Sequence, residues 1–152
     1  MTKTLFTVVA ILCATQVVAQ ERELPDLVRQ ATPDAVVQEH LDALNLCDWD
    51  RLMAQYPADA EIHLAGGTII SGRKDIGDLF AGFCQSVADG GLMGITFASE
   101  HVFPVGNTLN VQWVARADFL AEEYRGSDAY VTRDGLMAAM VTTFDGAALK
   151  MK

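Results

Sequence analysis

Few residue types in this chain can do chemistry, and their spacing narrows the choice. The 152 residues include three histidines, His40, His63 and His101, and three cysteines, Cys13, Cys47 and Cys84. No cluster of His, Cys and Asp has metal-ligand spacing, so no metal site is expected. There is no glycine-flanked nucleophilic serine, dinucleotide fingerprint or phosphate loop, and no cofactor is expected. What remains is imidazole chemistry at His40 or His63 and thiol chemistry at Cys47 and Cys84. His101 falls in a strand pattern with no acidic or histidine neighbour at useful spacing, and reads as a surface residue.

Helices come first in the elements that must position these groups. Thr32-Pro33-Asp34 is a helix start: Thr32 caps, Pro33 fits the first helical position, and Asp34 suits the positive end of the dipole. Val37, His40, Leu41 and Leu44 share one face at helical spacing, which puts His40 on the buried side. Asn45 to Cys47 break the helix. Asp48 caps a second, short helix with Trp49, Leu52, Met53 and Tyr56 on its apolar face, and Pro57 ends it. Glu61 to Leu64 reads as a strand, and Gly66-Gly67 as a reversal into another at Thr68 to Ile70. A third helix follows Gly72, with Ile76, Leu79, Phe80, Phe83 and Val87 as its stripe and Asp89-Gly90-Gly91 as its stop.

The second half reads as antiparallel sheet. Ile95 to Phe103 is one strand, followed by a turn at Pro104 to Asn107. Leu109 to Phe119 alternates apolar and polar residues as a long half-buried strand. Ser127 to Thr132 and Leu136 to Phe144 are joined by a hairpin at Arg133-Asp134-Gly135. Helices followed by a curved antiparallel sheet make an α+β domain with a concave space between the layers.

Residues 1–19 read as an export signal. Lys3 supplies the positive start, Leu5 to Ala14 a short apolar run, and Val17-Val18-Ala19 the small residues before a cleavage ahead of Gln20. The run is too short to span a bilayer, and Leu12 stands where a lipoprotein needs a small residue before Cys13. The expected location is periplasmic or secreted, with no membrane attachment after cleavage. Residues 20–31 are polar and read as a flexible lead-in, with one domain over 32–152. The formal charge is -9 and loss of Lys3 makes the remainder more acidic. With no basic cluster to offset it, nucleic acid is excluded as a partner. Cys13 leaves with the leader. Cys47 and Cys84 then form an even pair in an oxidising compartment, read either as a disulfide between two helix ends or as two buried thiols.

Val36-Val37-Gln38, Ala43-Leu44-Asn45, Asp48, Asp59-Ala60, Gly72, Ile76 and the stretch from Asp128 through Gly135 to Phe144 resemble the SnoaL-like group. That group belongs with nuclear transport factor 2 (NTF2) and the steroid isomerases. The likeness runs from Val36 to Phe144 and rests on caps, core positions and turns. It implies a cone-shaped NTF2-like (cystatin-like) fold with an apolar pocket between helices and sheet. Steroid isomerases place a Tyr on the first helix, an Asp base on the first strand and an Asp late in the sheet. By resemblance these positions fall on His40, Leu64 and Asp128. Leu64 cannot take a proton, so that isomerase chemistry is not expected.

His40 and Asp128 remain as polar residues at pocket positions. An Asp beside a His favours the imidazolium and orients it, the arrangement of a proton-transferring pair. The same two residues could instead orient a ligand or serve as satisfied structural groups. The resemblance makes Tyr56, Leu64, Trp113, Tyr130 and His63 pocket-lining candidates, although regular alternation turns His63 away from Leu64. Arg116 and Gln112 lie on the opposite sheet face, through which members of this fold group commonly pair, so a homodimer is expected. Three functions are open: a binding protein for a small apolar or amphipathic molecule, a cofactor-independent isomerase, cyclase, dehydratase or hydrolase using His40 and Asp128, or a dimeric interaction module. On the disulfide reading, reduction raises the intact mass by about 2 Da; an unchanged mass would leave two free thiols.

Overall fold

The computed structural model describes residues 22–152; the leader, its cleavage point and Cys13 lie outside the described residues. Thr32 opens the first helix. Its hydroxyl accepts the Ala35 N–H, Pro33 sits where a missing N–H costs nothing, and α1 runs Pro33–Asn45. Val36, Val37, His40, Leu41, Ala43 and Leu44 are its buried face. Asp48 caps α2 (Trp49–Met53) by accepting the Arg51 N–H. There follow β1 (Glu61–His63), β2 (Ile69–Ser71), α3 (Arg73–Phe83), β3 (Thr96–Val105), β4 (Thr108–Arg116), β5 (Tyr124–Arg133) and β6 (Leu136–Thr142).

The strands form one six-stranded sheet in the order β2-β1-β6-β5-β4-β3. All neighbours are antiparallel except β1 and β6. That parallel pair is reached by a crossover through α3 and the rest of the sheet, the long connection parallel strands require. Asp134 and Gly135 turn the β5–β6 hairpin, both at positive φ (53° and 76°), which is the conformation a two-residue Asp-Gly turn needs.

Alternation sorts the strands into two faces. Ile62, Leu109, Val111, Trp113, Tyr130 and Met140 turn inward and join α1, α2 and α3 in one core. Trp113, Tyr56, Tyr130, Leu52, Met53 and Ile62 are among its largest fully buried side chains, each stabilising by roughly 1.5–3 kcal/mol through apolar burial. α1 packs on β3 to β6, whereas α3 packs on α2 and β2. A gap is left between α1, α3 and the inner face of the sheet.

The C-terminal end of α1 is pinned twice. The Asn45 side chain accepts the Phe97 N–H at 2.7 Å and donates to the Phe97 carbonyl at 2.9 Å, bonding the helix to β3. Cys47 and Cys84 form a disulfide that joins the same end to the end of α3, with Cα atoms 5.5 Å apart.

Several element ends differ from the sequence reading; β5 starts at Tyr124 rather than Ser127 and β6 ends at Thr142 rather than Phe144. α3 stops at Phe83, and Val87 sits exposed in a separate 3-10 turn, Val87–Asp89. The Ser86 hydroxyl accepts the Asp89 N–H and starts that turn. Gly91 then lies so close to Gln85 that any Cβ would run into its backbone, and only glycine lets the chain fold back there. β3 continues through Pro104, because it is the edge strand, where a proline is tolerated. β4 ends at Arg116 rather than Phe119, since the chain turns through the Leu120 N–H to Ala117 carbonyl bond and Leu120 bridges to Met151.

Residues 22–31 of the lead-in, expected as flexible, have neither helix nor strand, yet their backbone is tied to the body. Val28 N–H donates to Ala54 and Gln30 N–H to Gly135, while Arg73 reaches the Pro25 carbonyl. Arg22 lies 5.3 Å over the Trp49 ring.

Asn45→Ala removes the side-chain partner of both the Phe97 N–H and the Phe97 carbonyl and should cost about 1–3 kcal/mol in chemical denaturation. Gln38→Ala, which loses one exposed bond to Asp42, should change stability by less than about 0.5 kcal/mol.

Candidate functional site

The gap between the layers is a cavity of about 280 Å³. α1 supplies His40, Leu41 and Leu44; α3 supplies Leu79, Phe80 and Phe83; the sheet supplies Phe97, Tyr130, Met140 and Asp128. Leu64 follows β1 into it, and the exposed Ala65, Asp145 and Gly146 stand at its solvent end. A larger groove of about 1060 Å³ runs outside the helices, past Trp49, Cys47 and Cys84. The smaller cavity is the site candidate, because it is apolar with a few buried polar groups converging on it.

His40 is 1% exposed. Its ring meets Tyr56, Phe80 and Tyr130, with centroids 6.0, 5.8 and 5.5 Å away. Burial among these rings disfavours the imidazolium and lowers its pKa from 6.5 to about 4. The imidazole is therefore neutral near pH 7, with one ring proton to place. Tyr56 Oη lies 3.2 Å from Nδ1 and, among the described residues, has no other bonding partner. Were Nδ1 to carry the proton, the fully buried Tyr56 O–H would lack an acceptor. The network thus assigns the hydroxyl proton to the Tyr56–Nδ1 bond and the ring proton to Nε2. Nε2 has no partner among the described residues, which leaves it an unused donor on a residue that lines the cavity.

Asp128 forms a second polar centre. Tyr130 Oη donates to Oδ2 at 3.0 Å and the Thr143 N–H to Oδ1 at 3.3 Å. Burial raises its pKa, and the donors Thr142, Trp113, Tyr130 and Thr143 oppose that rise. The Trp113 indole N–H is near enough to favour the charged form, although it makes no bond of good geometry. Burial, together with the Asp128 charge, pushes the Tyr56 and Tyr130 phenols above their ordinary values.

A family model for the SnoaL-like domain matches residues 37–140. The chain belongs to that family.

The solved structures it resembles include an NTF2-like protein of unknown function from Cytophaga hutchinsonii (14% identity, TM-score 0.61, covering 78% of this chain and 94% of that one). A ketosteroid isomerase homologue from Kribbella flavida is similar at 17% identity and TM-score 0.60, over 74% of this chain and 77% of that one. TerC, co-crystallised with polyporic acid, is similar at 17% identity and TM-score 0.62, over 76% and 93%. These likenesses show the fold: α+β, NTF2-like. No curated protein matches the chain by sequence.

Within this SnoaL-like cone, the residues singled out from sequence separate. His40, Leu64, Asp128 and Tyr130 line the cavity. No hydrogen bond joins His40 to Asp128; each has its own tyrosine. Tyr56 stands behind His40 rather than on the wall. Trp113 lies behind the wall too, its ring so close to Gly126 that a Cβ there would meet it at 2.6 Å. His63 faces the outer side, paired with Glu61 at 3.0 Å. Phe97, Met140 and Thr142 are wall residues that the sequence reading did not select; the alternation of β3 and β6 is the signal that would have found them. Among the described residues no group of His, Cys, Asp and Glu could hold a metal.

The lowered pKa of His40 makes stability pH-dependent. Its unfolded state binds the proton more readily, so this contribution is complete above the ordinary value of 6.5 and is lost as pH falls toward 4. The full loss is about 3 kcal/mol for a pKa lowered from 6.5 to about 4. Asp128 acts in the opposite sense: its raised pKa favours the fold while protonated, a contribution that fades as pH rises through the folded value. Denaturant unfolding between pH 4 and 6.5 should steepen in wild type and flatten in His40→Gln; parallel curves would remove His40 as the cause.

Proposed function

We propose that this SnoaL-like protein is an exported binding protein for a small, mainly apolar molecule bearing one hydrogen-bond-accepting oxygen. The observation behind this reading is the neutral His40, with Nε2–H unused on an apolar wall. A neutral imidazole of low pKa is a poor proton acceptor at pH 7 but a sound donor to a carbonyl or ether oxygen. Leu64 supports binding over catalysis, because it occupies the wall where a general base would have to stand. Leucine, phenylalanine and methionine side chains supply non-directional affinity, and His40 supplies orientation.

The enzymatic alternative rests on Asp128, a buried carboxyl of raised pKa on the same wall. In that reading His40 polarises an oxygen while Asp128 moves a proton in an isomerisation, cyclisation or dehydration. We also propose a homodimer through the outer sheet face and its rim, where Ile69, Phe103, Val105 and Val141 are exposed.

Native mass spectrometry of protein from its own cell envelope should find a retained small molecule. His40→Phe should lower affinity for that molecule about tenfold, the worth of one buried hydrogen bond, while Asp128→Asn leaves it chemically unchanged. Turnover of the molecule that Asp128→Asn abolishes would favour the enzyme. Light scattering should give twice the chain mass; a single-chain mass would remove the dimer.

A further inference from the structure

The cavity's helical wall is fastened unevenly. Leu41 and Leu44 of α1 face Leu79, Phe80 and Phe83 of α3 across it. α3 is hydrogen-bonded to other elements through its first half. Arg73 Nη2 donates to the Met53 and Pro25 carbonyls at 2.8 and 2.6 Å, and Trp49 Nε1 donates to the Gly77 carbonyl at 2.8 Å. Beyond Gly77, among the described residues, the hydrogen bonds that leave α3 reach only the loop that follows it, as with the Leu92 N–H to Phe83 carbonyl bond. The far half of α3 is thus held over the cavity by ring contacts and one covalent link, the Cys47–Cys84 disulfide to the end of α1.

That disulfide is also within reach of solvent. The two sides of α3 face different spaces: Phe80 and Phe83 turn to the cavity, while Gly77, Ala81 and Cys84 turn to the outer groove. Both cysteines line that groove and are only partly buried. A thiolate can therefore approach the sulfurs without entering the cavity.

We propose that the Cys47–Cys84 disulfide is a redox catch on the cavity wall, so that reduction by a dithiol loosens the far half of α3 and releases the ligand. This rests on the binding reading above. In the step itself, one thiolate of the dithiol attacks a sulfur of the disulfide and forms a mixed disulfide, freeing the other cysteine. The second thiol of the dithiol then displaces the attached cysteine. Two electrons and two protons pass to Cys47 and Cys84, and the dithiol leaves as its own disulfide. With the link open, α3 past Gly77 keeps the packing of Leu79, Phe80 and Phe83 and its bonds to the loop that follows it, and part of that packing is contact with the ligand itself.

Hydrogen exchange and probe binding on the folded full-length mature protein, oxidised or reduced with dithiothreitol, test this. Intact mass confirms reduction and far-UV circular dichroism confirms the fold. Amide exchange over Leu79–Cys84 should rise about tenfold on reduction while Arg73–Gly77 stays unchanged. The Kd for the fluorophore prodan, an apolar naphthalene carrying one ketone oxygen, should rise about tenfold as well, since a loosened wall must be ordered again on binding. Cys47→Ala/Cys84→Ala should match the reduced protein under non-reducing conditions, and the reduced wild type decides the matter if that variant does not fold. Equal exchange and equal Kd in the two redox states would overturn the catch alone. A probe that binds neither state would overturn the binding reading and the catch with it.

Discussion

The imidazole of His40 is where four parts of the molecule meet. It leaves α1, bonds to Tyr56 in the segment after α2, and lies against Phe80 of α3 and Tyr130 of β5. A charged ring could not sit there without a counter-charge, and among the described residues no carboxylate hydrogen-bonds to it. The packing of helices on sheet therefore requires a neutral histidine, and the neutral histidine in turn requires its second nitrogen to find a use elsewhere. The cavity is the remaining place for that use. Fold and site are in this sense one constraint, because the side chain that completes the core is also the donor offered to a ligand.

Two polar centres share the cavity without merging. His40 with Tyr56 forms a neutral pair, while Asp128 gathers donors from Tyr130, Thr143 and the neighbouring Thr142 and Trp113. Burial acts on both, yet in opposite senses: it removes the charge from the histidine by lowering its pKa and resists the charge on the carboxyl by raising it. A directly bonded His–Asp pair would show the reverse for His40, with the imidazolium favoured. Burial, with no hydrogen bond from His40 to Asp128, is what keeps the histidine neutral.

Much of the architecture was legible in local sequence. Thr32 and Asp48 are side-chain caps whose bonds reach three residues ahead, and such signals need no tertiary information. The period of α1 puts His40 on the buried face, and the alternation of β4 and the Asp134-Gly135 turn set the sheet. Other features depend on contacts between distant segments. Tyr56 belongs to His40 because α1 and α2 fold back on each other, a relation no periodicity encodes. Trp113 reads as an inward-facing residue, which it is, but its ring packs into the space left by the missing Cβ of Gly126 and does not line the cavity. The early end of α3 follows from Ser86 and Gly91 folding the loop, which a continuing apolar stripe at Val87 conceals.

The most direct test of this account is the protonation of His40, read by ¹⁵N-resolved NMR of the imidazole nitrogens across the pH range of the folded protein. The account predicts a neutral ring at pH 7 with the proton on Nε2, Nδ1 as an acceptor, and no titration until pH approaches 4. An imidazolium at pH 7 that becomes neutral in Asp128→Asn would contradict it, and would restore a coupled histidine–aspartate pair as the centre of the site.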